Sequence, residues 1–257
     1  MALLEAVGIT KRFGGLEALK DLDFKVESGE LVGLIGPNGA GKSTLFNVLS
    51  GVTRPTAGKI FFQGEDVTGM KPHRIAKKGL VRTYQATKLF MNLSVQANIE
   101  IACHIPARTN MVGDVIGIPS VKRRDKEARQ AAIDIVKLAG LERVSGELPQ
   151  NLPHGYQRSL GVAIALATRP KLLCLDEPVT GMNAEETKFM AELISRLRQG
   201  GITIFLVEHS MRVVMSICDR VIVLNFGRKI AEGSCRDIQQ NKDVVEAYLG
   251  RAKDNAA

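Results

Sequence analysis

Residues 36–43 read Gly-Pro-Asn-Gly-Ala-Gly-Lys-Ser and match the pattern Gly-x-x-x-x-Gly-Lys-Ser/Thr in full. They lie between an apolar run that predicts a strand, Leu31–Ile35, and a helical pattern, Ser43–Ser50. Glycines in such a turn let backbone N–H groups converge on phosphate oxygens, and the helix N-terminus favours their negative charge. We expect Lys42 to reach the outer phosphates and the Ser43 hydroxyl to ligate Mg²⁺. The sequence therefore predicts a nucleotide site on a strand–loop–helix unit.

The composition of the 257-residue chain is that of a folded protein with an excess of positive charge. Apolar residues make up 45% and charged residues 24%, and 35 Lys and Arg against 27 Asp and Glu give a net charge of +8. This charge suits nucleotide, nucleic acid or a lipid surface without choosing among them. A mean hydropathy of +0.01 and the lack of about 18 consecutive apolar residues predict no membrane span. No secretory signal or Cys-x-x-Cys spacing is found, which predicts a reducing cytosol.

Apolar runs alternate with helical patterns over most of the chain, which predicts an α/β fold. Several runs are continuously apolar rather than alternating, which favours a parallel sheet covered on both faces. The predicted strands are Leu3–Ile9, Leu31–Ile35, Lys59–Phe62, Lys171–Leu175, Ile202–Val207 and Arg220–Asn225. The predicted helices between and after them are Ser43–Ser50, Pro72–Lys78, Ala184–Arg198, Met211–Cys218 and Val244–Leu249.

Residues 88–168 break this alternation. They contain helical patterns at Val95–Cys103 and Lys122–Ala139, separated by a stretch interrupted by Gly and Pro, and no convincing strand. We interpret them as a helical subdomain inserted into an α/β core that consists of residues 1–87 and 169–257.

Polar side chains follow two of the predicted strands. Asp176 and Glu177 end the run Lys171–Leu175, at the carboxyl edge where ligands bind in open α/β sheets. Asp176 is placed to hold Mg²⁺, and Glu177 is a candidate general base that polarises an attacking water. His209 follows the next apolar strand and could contact the γ-phosphate or that water. Gln85 closes another possible strand and could reach Mg²⁺ or water.

The order of these motifs resembles the ATP-binding cassette of ABC transporters over nearly the whole chain. After the phosphate loop at 36–44 come a glutamine at 85, a signature region at 152–158, carboxylates at 176–177, a D-loop at 181–183 and a histidine at 209. The resemblance implies a P-loop NTPase (RecA-like) core with an antiparallel β-subdomain and an inserted α-helical subdomain. It also implies ATP and Mg²⁺ as cofactors.

The resemblance assigns a role to each candidate residue. Phe13, in Lys-Arg-Phe-Gly-Gly, falls where the family stacks an aromatic ring on adenine. Glu177 is implied as the base, His209 as the switch, and Gln85 as the third member of the catalytic set. The implied Mg²⁺ ligands are Ser43, Gln85 and Asp176. The implied nucleotide contacts are Phe13, Gly36, Asn38, Gly39, Ala40, Gly41, Lys42, Ser43, Thr44, Asp176 and Gly155.

Within the family the chain looks most like the larger ATPase subunit of branched-chain amino acid importers. The similarity rests on Thr10–Gly15, on Arg82–Gln85 followed by Lys-Leu-Phe, on the longer helical insert, and on the ending that starts at Asp243. It implies a subunit that binds and hydrolyses ATP on the cytoplasmic face of the membrane. The implied partners are membrane-spanning permease subunits and a second cassette of the same or a different chain. The resemblance also implies a solute-binding protein that acts only indirectly, and no nucleic-acid partner.

The signature region departs from the family's Leu-Ser-Gly-Gly-Gln. Here it reads Leu152-Pro-His-Gly-Tyr-Gln-Arg, so that Pro153 lacks both the hydroxyl and the N–H that would contact a partner's γ-phosphate. In the family the signature completes the partner's site. The sequence therefore predicts normal hydrolysis on this chain's own phosphate loop and slower hydrolysis at the opposite site.

Other members of the class remain as alternatives. Importers of urea or short amides and a lipopolysaccharide-type export ATPase use similar single cassettes, and the ATPase does not touch the solute. A nucleic-acid-linked cassette ATPase is disfavoured because the chain has one cassette and no long heptad run. A GTPase is disfavoured because Asn241-Lys-Asp-Val fails the guanine-reading pattern at its fourth position. A subunit that holds ATP without turnover is disfavoured by the presence of Glu177 and His209.

Overall fold

The computed structural model describes residues 2–83, 89–104 and 119–254. The chain divides into two compact units, of which the first comprises residues 1–82, 171–180 and 197–257 and the second residues 83–170 and 181–196. We call them the sheet unit and the helical unit. Residues 181–196, which the sequence analysis assigned to the core, fall in the helical unit.

One sheet of the sheet unit is antiparallel. It contains β1 (Ala2–Phe13), β2 (Leu16–Glu27), β4 (Ala57–Phe62) and β5 (Glu65–Asp66), in the order β2-β1-β4-β5. Strand β2 was not among the predicted strands. Its second half alternates buried Leu22, Phe24 and Val26 with exposed polar residues, which is the pattern of a strand with one face in the core.

The other sheet is the predicted parallel one. It contains β3 (Leu31–Ile35), β6 (Leu80–Arg82), β7 (Leu172–Asp176), β8 (Thr203–Val207), β9 (Arg220–Asn225) and β10 (Arg228–Gly233), in the order β10-β9-β3-β8-β7-β6. All neighbours pair in parallel except β10, which pairs antiparallel with β9. Every residue of β3 and β8 is buried, as continuous apolar runs require. The predicted runs Leu3–Ile9 and Lys59–Phe62 belong instead to the antiparallel sheet.

Helices of the sheet unit are α1 (Lys42–Leu49), α2 (Pro72–Lys78), α7 (Met211–Ile217), α8 (Cys235–Gln240) and α9 (Lys242–Asp254). Helix α1 packs against the parallel sheet through aromatic rings, and the same cluster of rings reaches the antiparallel sheet. The ring of Phe205, in β8, lies 5.2 Å from that of Phe46 in α1 and 5.6 Å from that of Phe24 in β2. These buried contacts fix the helix that follows the phosphate loop.

The helical unit contains α3 (Val95–Cys103), α4 (Pro119–Leu138), α5 (His154–Ala167) and most of α6 (Ala184–Gln199). Its own core is apolar and buried, and includes Val95, Ile99, Ala132, Leu141 and Leu160. The prediction of α3 is confirmed, and α4 begins three residues before the predicted Lys122. Among the described residues, no helix combines the length and apolar character needed to cross a bilayer.

Candidate nucleotide site

A pocket of about 580 Å³ lies over the phosphate loop of the sheet unit. It is lined by predicted residues from distant parts of the chain: Phe13 at the end of β1, the loop residues, Glu177 after β7 and His209 after β8. The predicted nucleotide residues among its lining are Phe13, Asn38, Gly39, Ala40, Gly41, Lys42, Ser43 and Thr44. Gly36 and Asp176 stand one or two residues outside that lining, and Gln85 lies outside the described residues.

The end of the phosphate loop requires glycine. Gly41 has φ +105°, and a Cβ there would lie 2.7 Å from the backbone oxygen of Ala18. Helix α1 begins directly after it, with no side-chain cap and no acidic residue in its first turn. The partial positive charge of the helix N-terminus is therefore not neutralised by a carboxylate from the first turn of α1.

Lys42 is held across the loop. Its side chain is buried, and Nζ donates to the carbonyl oxygens of Gly36 at 2.6 Å and Pro37 at 3.0 Å. A buried ammonium group is costly unless anions or oxygen dipoles surround it. The uncapped helix and this lysine together fit a bound polyphosphate.

Glu177 and His209 are in contact. His209 Nε2 lies 2.5 Å from Glu177 Oε1, and Thr180 Oγ1 donates to the other carboxylate oxygen at 3.3 Å. The N–H of Glu177 donates to the carbonyl of Val207, at the end of β8, at 2.9 Å. The backbone of Glu177 has φ +49°, an uncommon conformation for a residue with a side chain, of the kind found at functional sites.

The sequence analysis missed Glu208, which joins the same two loops. Its carboxylate is almost fully buried and accepts the N–H groups of Val179 and His209, each at 2.9 Å. Burial raises the pKa of this carboxyl group, and the backbone donors oppose that shift only in part. A charged residue after an apolar strand is usually exposed, so the sequence alone gives no signal for this role.

Asp176 pairs with Arg82, a residue to which the sequence analysis gave no role. Arg82 Nη2 lies 2.7 Å from Asp176 Oδ2, and both side chains are nearly buried. Arg82 Nη1 donates to Asn47 Oδ1 at 2.7 Å and to Ser50 Oγ at 3.2 Å, both at the end of α1. This network fixes the direction of the Asp176 carboxylate from the side of α1.

The signature residues lie in the helical unit. Helix α5 begins at His154 after Pro153, whose side chain caps nothing. The N–H of Gly155 donates to Glu186 Oε1 at 3.0 Å, and the second oxygen of Glu186 accepts the N–H of Asn183 at 3.1 Å. The start of α5 therefore already carries a carboxylate, which the sequence analysis did not foresee.

A phosphate loop between a parallel strand and a helix, with carboxylates at the end of another strand of the same sheet, defines a P-loop nucleotide-binding protein. The ABC transporter family model matches residues 19–180, and the chain belongs to that family. A second model, for branched-chain amino acid ATP-binding cassette transporters, matches residues 228–254. The resemblance inferred from the motifs is thereby confirmed.

Curated relatives match over nearly the full length. The high-affinity branched-chain amino acid transport ATP-binding protein BraF of Pseudomonas aeruginosa is 41% identical over 251 residues, or 97% of this chain and 98% of BraF. The corresponding protein LivG of Escherichia coli K12 is 40% identical over the same shares of the two chains.

Solved structures agree with this assignment and confirm the predicted fold class. The ADP conformation of MJ1267, an ATP-binding cassette of an ABC transporter, has a TM-score of 0.83 at 26% identity, with 97% of this chain and 99% of MJ1267 covered. The dimeric cassette MJ0796 bound to ADP and Pi has a TM-score of 0.75 at 25% identity, with 91% and 99% covered.

Proposed function

We propose that this chain is the ATP-hydrolysing subunit of an importer for branched-chain amino acids. The observation that carries the proposal is the pocket in which the phosphate loop, Glu177 and His209 meet. The choice of solute is supported by the C-terminal match at 228–254 and by the names of BraF and LivG. That match also favours amino acid import over the lipopolysaccharide-export and urea or amide alternatives.

ATP fits the chemistry of the pocket. Lys42 and the N-terminus of α1 supply positive charge for the phosphates, and Phe13 at the rim offers an aromatic ring to adenine. Mg²⁺ fits the oxygen donors of Ser43 and Asp176, since hydroxyl and carboxylate oxygens are the ligands it prefers. When bound, Mg²⁺ neutralises charge that develops on the phosphates. Gln85 stays a proposed third ligand.

Hydrolysis then rests on Glu177. Its carboxylate takes a proton from the attacking water, which is the work of a general base. His209 contacts this carboxylate and orients it toward the pocket, while Glu208 holds the backbone of His209 in place. Contacts within the sheet unit support the assignments of base, switch and support.

The importer also needs partners. We assign to this chain a position at the inner face of the cell membrane, bound to permease subunits and to a second cassette. BraF and LivG are named as transport ATP-binding proteins, and MJ0796 forms a cassette dimer, which supports this assembly. A solute-binding protein acts on the permease and only indirectly on this chain.

ATP turnover tests the proposal. The purified chain is assayed alone and after assembly with permease subunits and a companion cassette in lipid, each with wild type, Glu177→Gln and Glu142→Gln. Glu142 is an exposed glutamate of the helical unit and serves as the matched control. Turnover is expected to rise on assembly and to persist in Glu142→Gln. In Glu177→Gln it is expected to vanish in the isolated chain and to fall, in the assembly, to the rate of the companion's site. Turnover that ignores the membrane subunits, or that is as fast in Glu177→Gln as in the wild type, contradicts the proposal.

A further inference from the structure

A second phenylalanine stands at the rim of the nucleotide pocket. Phe226 lies in the turn between β9 and β10 and lines the same pocket as Phe13 and Leu16. The three side chains are 65%, 50% and 67% exposed, respectively. Exposed apolar side chains that cluster at one pocket indicate a binding surface, whereas exposed apolar side chains scattered singly over a surface do not.

The turn that presents Phe226 is locally unfavourable for that residue. Asn225 pairs with Arg228 across a two-residue turn in which Phe226 has φ +45° and Gly227 has φ +78°. Two positive φ angles define the hairpin turn that prefers Asn-Gly or Asp-Gly, because those residues adopt this conformation most easily. A phenylalanine at the first position is strained, and such strain persists at sites where the side chain has a function.

The same turn is attached to the phosphate loop. The N–H of Gly227 donates to the carbonyl of Ala40 at 3.0 Å, and the carbonyl of Gly227 accepts the N–H of Lys20 at 2.8 Å. A Cβ on Gly227 would lie 2.6 Å from the backbone oxygen of Ala18, so the backbones pack closely. The backbone of the turn that carries Phe226 is therefore held beside the phosphate loop.

We propose that Phe226 supplies a second aromatic contact for the nucleotide base, in addition to that of Phe13. The inference rests on the proposed ATP-binding function and concerns the same pocket. An aromatic ring at the rim can stack on a purine and make apolar contacts with it, but it makes no favourable contact with the phosphates. Phe226 thus contributes to the affinity for the base, whereas Lys42 and α1 contribute to that for the phosphates.

Equilibrium binding of Mg²⁺-ATP and of inorganic tripolyphosphate tests this assignment. The substitution Phe226→Asn places the preferred residue in the turn, so the fold is retained and the melting temperature of the ligand-free chain is expected to stay constant or rise. The affinity for ATP is expected to fall about fivefold or more, the usual effect of one lost base–aromatic contact. The affinity for tripolyphosphate is expected to stay unchanged, and Phe226→Tyr is expected to retain ATP binding.

The matched control is Phe90→Asn, which removes an exposed phenylalanine of the helical unit and is expected to leave both affinities unchanged. The inference is overturned if Phe226→Asn binds ATP as the wild type does, or if it loses ATP and tripolyphosphate to the same degree. A wild-type chain that binds neither ligand would instead overturn the proposed function itself.

Discussion

Helices α1 and α5 begin in contrasting ways. Helix α1 follows Gly41 and has neither a side-chain cap nor an acidic residue in its first turn. Helix α5 follows Pro153, and the carboxylate of Glu186 accepts the N–H of Gly155 in its first turn. Both N-termini attract anions by the same dipole. The start of α1, which we call the open start, has no carboxylate in its first turn, whereas the start of α5, the closed start, is occupied by a carboxylate of its own unit.

The N-termini of α1 and α5 are the same structural element in two different roles. At α1 no side chain caps the start of the helix, and Lys42 adds a full positive charge there. At α5 the fold itself supplies a hydrogen-bond acceptor. Glu186 accepts the N–H of Gly155 and also forms a capping box with Asn183 at the start of α6. Substitutions at the two helix starts test whether the open start binds a ligand and whether the closed start stabilises the fold.

The largest effect is expected for Lys42→Ala. Removal of a charge-assisted contact worth about 3 kcal/mol lowers the affinity for ATP by about a hundredfold. Isothermal titration with Mg²⁺-ATP measures it, with Lys59→Ala, at an exposed position, as the control. If Lys42→Ala binds ATP as tightly as the control does, the start of α1 is not the phosphate site and the comparison fails.

Sequence patterns were sufficient to predict the open start of α1, but they did not predict how the start of α5 is closed. The phosphate loop and the apolar strands beside it are local patterns, in which glycine positions and hydrophobic runs carry the information. The contacts of Gly155 with Glu186 and of Arg82 with Asp176 join residues 31 and 94 positions apart. Such contacts arise from tertiary packing, which periodicity does not encode. Strand β2 is a different case, because the alternation of Leu22, Phe24 and Val26 with polar residues is a local pattern that is sufficient to indicate a strand.

A matched pair of glycine substitutions compares the two helix starts directly. An alanine at Gly41 meets a backbone oxygen 2.7 Å away at φ +105°, and neither the oxygen nor the φ angle can relax cheaply. An alanine at Gly155 meets Glu186 Oε1 at 2.8 Å, and that flexible side chain can move aside. We expect Gly41→Ala to lower the free energy of unfolding by about 2 kcal/mol. For Gly155→Ala we expect a change near zero, because improved helix propensity offsets the lost hydrogen bond.

Thermal denaturation of both variants without nucleotide measures the pair. Equal losses of stability would show that the start of α5 is as rigid as that of α1. The proposed difference between the rigid start of α1 and the adjustable start of α5 would then be wrong.

The third test concerns Pro153 in the assembled transporter. The family resemblance implies that this signature serves the companion's site, so Glu177→Gln is first introduced to silence this chain's own turnover. Pro153→Ser in that background restores an N–H and a hydroxyl, worth about 1.4 kcal/mol together, and is expected to raise the remaining turnover about tenfold. Pro72→Ser, at the exposed start of α2, is the control. Unchanged turnover in Pro153→Ser would mean that the signature departure has no cost for hydrolysis.

The smallest effect is expected for Glu186→Gln. An amide retains one oxygen, which suffices for the capping box with Asn183 or for the N–H of Gly155, but not for both. The lost hydrogen bond and charge–dipole attraction amount to about 1 kcal/mol, or a fall in Tm of about 3 °C for a chain of this size. Glu185→Gln, the exposed neighbour in the same helical turn, is expected to change Tm by less than about 1 °C. A stabilised Glu186→Gln variant would mean that the carboxylate is strained in its place. The start of α5 would then resemble that of α1, as a site kept for a ligand at a cost to the fold.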